Sequence, residues 1–155
     1  MALTSADPID IAQGVSISPA PGWTLGNRGA DWVALNNADG SAQTRVAVKQ
    51  AGGTDVVAAL QANMNQYAAS SGLTNMRDLS APITTTPQSA RFQQKASIDY
   101  TADVSGQQGA IPVLGAFSEL LNTSTGLSAF IDFRQNNNAT PQAASDGGTM
   151  IDSIL

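Results

Sequence analysis

The segment Ala90–Val104, ARFQQKASIDYTADV, alternates between two kinds of side chain along its whole length. One set of alternate residues is mainly apolar and consists of Phe92, Gln94, Ala96, Ile98, Tyr100 and Ala102. The other set is polar or charged and consists of Arg91, Gln93, Lys95, Ser97, Asp99, Thr101 and Asp103. Because successive side chains of a strand point to opposite faces, the pattern predicts one long strand with an apolar and a charged face. Such a strand is typical of an antiparallel sheet that is covered on one side and wetter on the other.

Further strands and tight turns extend this segment into a sheet. The sequence predicts strands at Ile9–Ser18, Asp31–Leu35, Thr44–Lys49, Ala110–Leu121 and Leu127–Arg134. The segment Ile9–Ser18 is expected to be an edge strand, and the Asp-Gly step within Asn36–Ser41 predicts a hairpin turn. Long strands joined by short turns predict an antiparallel meander.

Two helices complete the predicted elements. The first is expected from Asp55 to about Ser71, with Thr54 as its N-cap and Gly72 at its C-terminal end. The second is expected to begin at Pro141, with Thr140 as its N-cap, because proline is favoured at the first helical position. We expect residues 1–8 to be a linker or a cloning remnant and residues 9–155 to form a single domain.

The composition excludes several classes of function. The chain has 155 residues, a net charge of −5 and neither cysteine nor histidine. Its seven basic residues are scattered singly, so nucleic acid is not an expected partner and an anionic membrane surface is disfavoured. Without thiol or imidazole, a cysteine nucleophile, a serine–histidine pair and the commonest metal ligands are all missing. We therefore expect no cofactor, no metal and no catalytic residues.

Carboxylates provide the remaining catalytic alternatives. Asp99 and Asp103 share a strand face but lie about 13 Å apart at ~3.3 Å per residue, too far for paired-carboxylate chemistry. An enzyme would need Asp99 to converge with Asp132 or with Glu119, the only glutamate. Glu119 is either a buried acid with a raised pKa or, the reading the sequence favours, a strand-end or surface residue.

Four residues are candidates for binding a partner: Trp23, Trp32, Asp99 and Asp103. Tryptophans often anchor interfaces, although large aromatic residues more often pack in a core. The two aspartates lie on the charged face of the long strand. A calcium loop at Asn36–Ser41 is disfavoured because only one carboxylate is present there.

Two segments resemble the PsbP-like family. They are Val15–Trp23, VSISPAPGW, near the start and Met150–Ile154, MIDSI, at the end. The pattern looks most like the LpqN-type cell-envelope proteins of actinobacteria. The resemblance implies an α+β fold in which one antiparallel sheet is flanked by helices, an α/β/α sandwich. It also implies binding of partners rather than catalysis, although the chain lacks the acylated cysteine of the lipoprotein members.

These observations lead to one expected function and one alternative. We expect a non-catalytic extracytoplasmic domain of an actinobacterial membrane-associated protein that docks a protein or an envelope glycolipid in cell-envelope biogenesis or transport. Membrane attachment is expected only through a segment outside residues 1–155. The alternative is a carrier that binds an apolar small molecule between sheet and helix, in a cavity of ~300 Å³ or more lined by residues such as Phe117, Phe130 or Tyr67.

Overall fold

The computed structural model describes residues 8–50, 55–68, 73–87, 89, 91–106, 109–136, 139 and 141–155. Ten strands and two helices follow one another in this part of the chain: β1 (Ile9–Ala12), β2 (Val15–Ile17), β3 (Thr24–Arg28), β4 (Trp32–Asn36), β5 (Ala42–Gln50), α1 (Val56–Ala68), β6 (Leu73–Arg77), β7 (Ile83–Thr85), β8 (Gln94–Gly106), β9 (Gly109–Leu121), β10 (Leu127–Asn136) and α2 (Pro141–Ile154). None of the helices in these ranges is long and apolar enough to cross a membrane.

Eight of the strands form one antiparallel sheet in the order β3-β4-β5-β10-β9-β8-β6, with β7 also paired to β8. The predicted long strand is β8, and it pairs with β9 from Gln94–Leu121 to Gly106–Gly109. Ala96, Ile98, Tyr100 and Ala102 of its predicted apolar face are buried in one cluster, whereas Phe92 precedes the strand and is buried in a different cluster. The meander β8-β9-β10 and the α+β class are therefore confirmed.

The prediction of a single sheet is wrong, because β1 and β2 form a separate two-stranded sheet. Gln13 and Gly14 have φ values of 51° and 81°, so the chain turns back between Ala12 and Val15. Positive φ at both central residues is the geometry of a two-residue hairpin turn. The expected edge strand Ile9–Ser18 is therefore a hairpin that lies outside the main sheet.

The main sheet has a hydrophobic core on each face. Helix α1 packs over β8 and β9 on one face, whereas α2 packs on the other face against β10 and β2. The hairpin β1-β2 joins the α2 side, where Ile17, Leu35 and Met150 are fully buried. A helix on each side agrees with the expected sandwich. The α1 face is the more open of the two over β5, where Arg45, Ala47 and Lys49 are only half-buried.

The N-terminus of α1 is capped by Asp55. The Asp55 carboxylate accepts hydrogen bonds from the backbone N–H groups of Val57 and Ala58, at 3.1 and 3.3 Å. Aspartate is a favoured N-cap because it satisfies backbone donors that have no intrahelical partner. The predicted roles of Thr54, Gly72 and Thr140 lie outside the described residues, and so do residues 1–7 of the expected linker.

Candidate functional site

A polar groove lies beside α1, where the α1 face of the sheet is partly open. The groove has a volume of about 260 Å³ and is lined chiefly by Arg45, Ala47, Lys49, Asn63, Gln66 and Tyr67. Strand alternation explains this position, because Val46 and Val48 point into the opposite core while Arg45 and Lys49 point toward α1. Asp31 is also part of the lining, and Phe130 lies at the base.

Arg45 is held against two aromatic rings. Its guanidinium carbon lies 4.7 Å from the centre of the Trp32 ring and 5.1 Å from the centre of the Tyr67 ring. Each cation–π contact of this kind contributes about 0.5–1 kcal/mol at an exposed site. Within the described ranges, this guanidinium makes no side-chain hydrogen bond and has no carboxylate within 4 Å. The groove therefore contains a positioned cation whose N–H donors make no hydrogen bond to the residues that the structure describes.

Trp32 is positioned by the absence of a side chain at Gly29. A Cβ atom at residue 29 would lie 2.7 Å from Cδ1 of the Trp32 indole, well inside van der Waals contact. The backbone N–H of Gly29 also donates to the carbonyl of Trp32, at 2.9 Å. The turn between β3 and β4 therefore forms the surface against which the indole packs.

Tyr67 is fixed from below by a buried network around Asp132, which is 1% exposed. The Asp132 carboxylate accepts hydrogen bonds from the hydroxyls of Tyr100 and Tyr67, at 2.6 and 2.9 Å, and from Nε of Arg134, at 3.0 Å. Arg134 also donates to the Tyr67 hydroxyl, at 2.7 Å. Burial, followed by the charge of Asp132, raises the pKa of both tyrosines. The network keeps both tyrosines protonated and holds the Tyr67 ring in place under Arg45.

A second buried acid lies behind Asn63. Glu119 is 0% exposed, and its Oε1 accepts a hydrogen bond from Nδ2 of Asn63. Its Oε2 has no hydrogen-bond partner among the described residues. Burial raises the pKa of Glu119 to about 7, while Asn63, Lys49 and Ser128 lower it by smaller amounts. The favoured prediction of a strand-end or surface position is wrong, because Glu119 lies within β9 on its buried α1 face.

The two predicted tryptophan sites have different environments. Trp23 is 4% exposed within the α2-side core, and its indole N–H donates to Asp146 of α2, at 3.0 Å. It joins the β2–β3 connection to the helix and has almost no exposed surface, which favours the alternative that it packs in the core. Trp32 is half-buried and belongs to the open groove.

The two predicted aspartates lie on the opposite face of the sheet from Trp32. Asp99 is exposed and lies beside α2. Asp103 is bonded to β6, where it pairs with Arg77 and accepts from Asn75, both at 3.2 Å. Hydrogen bonds from Asn75 and then Arg77 lower the pKa of Asp103. The four predicted residues therefore do not form one site.

The alternatives involving carboxylates and metals find no support in the described part of the chain. Strand register places Asp99 on the face opposite Asp132 and Glu119. No group of three metal-ligating side chains occurs in this part. In the Asn37–Ser41 turn, Asp39 accepts hydrogen bonds from the backbone and hydroxyl of Ser41, at 3.0 and 2.6 Å. Its carboxylate is thus used to form the hairpin turn.

The space between sheet and α1 is filled by aromatic rings. Phe117 stacks on Tyr100 with ring centres 4.3 Å apart, and Phe130 stacks on Phe117 at 5.7 Å. On the other face, a cleft of about 310 Å³ lies between the sheet and α2 and is lined mainly by Leu114, Phe133, Ala144 and Gly148. A cleft of the expected size is therefore present, but its lining differs from the predicted one.

No protein-family model and no curated protein matches the chain. Several solved structures share its fold, and two of them are compared below. The cyanobacterial PsbP (CyanoP) of Synechocystis sp. PCC 6803 has a TM-score of 0.65 at 14% identity, with 98% of this chain and 92% of that chain covered. The Ran-binding protein Mog1p of Saccharomyces cerevisiae has a TM-score of 0.61 at 11% identity, with 97% and 93% covered. At these identities the likeness shows the fold alone, which confirms the PsbP-like fold.

Proposed function

We propose that this PsbP-like domain is a non-catalytic interaction module that docks a protein partner through the groove beside α1. The observation that carries the proposal is Arg45, a cation held over Trp32 and Tyr67 with its donors unused. Tryptophan, tyrosine and arginine are the side chains most enriched at binding hot spots. Their combination in a partly open groove supports recognition, and the rigid network beneath Tyr67 supports a preformed surface.

The non-catalytic part of the proposal rests on the types and positions of the reactive groups. The chain has no cysteine or histidine, the Asp132 carboxylate is held by Tyr67, Tyr100 and Arg134, and Asp99 lies on the opposite face from the buried acids. One of the solved structures that share the fold is named as a Ran-binding protein, which supports a docking role for this architecture without identifying a partner.

The proposal also includes the cellular location of the domain. We place the domain outside the cytoplasmic membrane of an actinobacterium, in an LpqN-like role in envelope biogenesis or transport. The support is the sequence resemblance at Val15–Trp23 and Met150–Ile154. Envelope glycolipid is the competing ligand for the same surface.

Site-specific photo-crosslinking in an actinobacterial host tests this function. A benzophenone amino acid is placed at Gln66, an exposed residue of the groove, and in a matched variant at Gln142, an exposed residue of α2. The proposal predicts a defined protein adduct from position 66 that is absent from position 142. No adduct from position 66, a lipid adduct alone, or the same adducts from both positions would contradict it.

The cleft beside α2 supports a second candidate, the carrier of an apolar small molecule. Leu114 is 42% exposed there, and a Cβ atom on Gly148 would meet no other atom within 4 Å. Gly148→Leu should therefore fill the cleft without disturbing the helix. If the domain is a carrier, this variant loses binding of a fluorescent fatty acid, whereas Gln66→Leu in the groove retains it.

A further inference from the structure

Arg45 has the properties of a preorganised carboxylate receptor. A guanidinium is planar and presents its N–H donors in a fixed fork that matches the two oxygens of a carboxylate. In this protein the plane is positioned by the rings of Trp32 and Tyr67 before any ligand binds. Little side-chain freedom remains to be lost, and this reduces the entropic cost of binding.

The charges around Arg45 favour an anion. Lys49 lies two residues beyond Ala47 on the same face of β5, so the groove contains two cations. The nearby Arg134 does not add to them, because it is paired with Asp132. Asp31 is the one acidic residue in the lining, and Glu119 lies buried behind Asn63. The exposed lining therefore has an excess of one positive charge.

The size of the groove and the charge of the chain limit what the anion can be. A volume of about 260 Å³ accommodates one side chain rather than a drug-sized molecule. The chain has a net charge of −5, so a run of acidic residues would be repelled at long range and would also meet Asp31. A single carboxylate among uncharged residues avoids both penalties.

We infer that the groove recognises one glutamate or aspartate side chain of a partner polypeptide, with its carboxylate bound by Arg45 and supported by Lys49. This inference rests on the proposed docking function and identifies a carboxylate as the chemical group that the groove binds. The residues flanking the bound acid are uncharged or basic.

Peptide titration of the ¹⁵N-labelled domain tests the inference. The probe is acetyl-Gly-Ser-Glu-Gly-Ser-amide, and its control has Gln in place of Glu. Saturable shifts of the Trp32 indole N–H are expected with the Glu peptide, with a dissociation constant of about 1–10 mM, as suits a single charge-assisted pair. The Gln peptide is expected to bind at least ~10-fold more weakly, because it lacks the charge.

Variants of the groove distinguish the contribution of the guanidinium geometry to peptide affinity from the contribution of charge. Arg45→Lys keeps the charge but loses the fork, so its affinity should fall at least ~5-fold. Lys49→Gln should weaken binding about 2-fold, whereas Lys95→Gln, the same charge change on the opposite face, should leave it unchanged. Asp31→Asn removes the competing acid without altering Arg45 and should tighten binding about 2-fold.

Equal binding of the Glu and Gln peptides would overturn the inference. So would tighter binding of inorganic phosphate than of the Glu peptide, since the site would then be one for phosphate. If Arg45→Lys does not fold, Asp31→Asn decides: tighter binding supports the inference, and unchanged or weaker binding overturns it. A partner crosslinked at position 66 whose affinity does not depend on Arg45 would leave docking intact and remove carboxylate recognition alone. Specific peptide binding without any crosslinked partner would support carboxylate recognition and contradict the proposed docking of a protein.

Discussion

The indole ring of Trp32 occupies the space that a side chain on Gly29 would need. This contact places Trp32 beside Arg45, and the cation then lies over Tyr67 as well. The shape of the groove therefore depends on a residue that contributes no atom to its lining.

Gly29→Ala should displace the Trp32 ring, because the new Cβ would lie 2.7 Å from Cδ1 of the indole. We expect a changed Trp32 indole N–H resonance, and about 2- to 5-fold weaker binding of the Glu peptide as Arg45 loses one of its two rings. Both are measured by NMR titration. An unchanged resonance with unchanged affinity would show that Trp32 is held by other contacts.

Adjacent glycines of α2 should respond in opposite directions to the same substitution. A Cβ atom on Gly147 would lie 2.7 Å from Cδ2 of Phe133, whereas one on Gly148 would meet open space. Gly147→Ala should lower the free energy of unfolding by about 1–3 kcal/mol through overpacking. Gly148→Ala should raise it by up to about 1 kcal/mol, as alanine is the better helix former. Urea denaturation of the two variants provides the comparison, and stabilisation by both would refute the close contact of α2 with β10.

Asp132→Asn should be strongly destabilising. The substitution leaves Arg134 half-buried without its carboxylate and weakens the bonds to Tyr67 and Tyr100. Breaking a buried ion pair in this way costs about 3–5 kcal/mol. The matched variant Asp103→Asn breaks the surface pair with Arg77 and should lower the free energy of unfolding far less, because exposed ion pairs contribute little. Similar losses for the two variants in urea denaturation would contradict the network.

Glu119 should make stability depend on pH near neutrality. Its folded pKa of about 7 lies above the ordinary value of 4.5, so the folded state binds more protons than the unfolded state between these pH values. Stability should therefore fall as pH rises from 4.5 to 7, by up to about 3 kcal/mol from this group. In Glu119→Gln, which keeps an acceptor for Asn63, this decline should disappear. Denaturation of both proteins at pH 5, 6, 7 and 8 checks it, and parallel pH profiles would contradict the assignment.

The alternation at Gln94–Ala102 is sufficient to predict β8, although Phe92, predicted for the same strand, lies before it, and Pro141 correctly predicts the start of α2. Other features are not local. The positive φ of Gln13 makes β1 and β2 a hairpin. Because positive φ is unusual for residues other than glycine, the residue type at position 13 does not predict this turn. The burial of Glu119 depends on Asn63 of α1, 56 residues away in sequence.

The groove also depends on contacts between residues distant in sequence, so the sequence does not predict it. Arg45 and Lys49 alternate with Val46 and Val48, a pattern that predicts a polar strand face but not what covers it. Only the packing of α1 over β8 and β9 leaves that face open, and only the turn at Gly29 brings Trp32 to Arg45. Of the four residues predicted to bind a partner, Trp32 alone belongs to the groove. The sequence feature that points to Trp32 is a large aromatic residue on the face of its strand opposite Val33 and Leu35.

The most direct test of the account is the affinity of the crosslinked partner, once purified, for the wild-type domain and for Trp32→Ala. Asp99→Ala, on the opposite face of the sheet, is the matched control. If the groove docks the partner, Trp32→Ala should weaken binding at least ~30-fold, as expected for a hot spot of about 2 kcal/mol or more, and Asp99→Ala should have almost no effect. A loss with Asp99→Ala but not with Trp32→Ala would place the docking surface beside α2 and contradict the account.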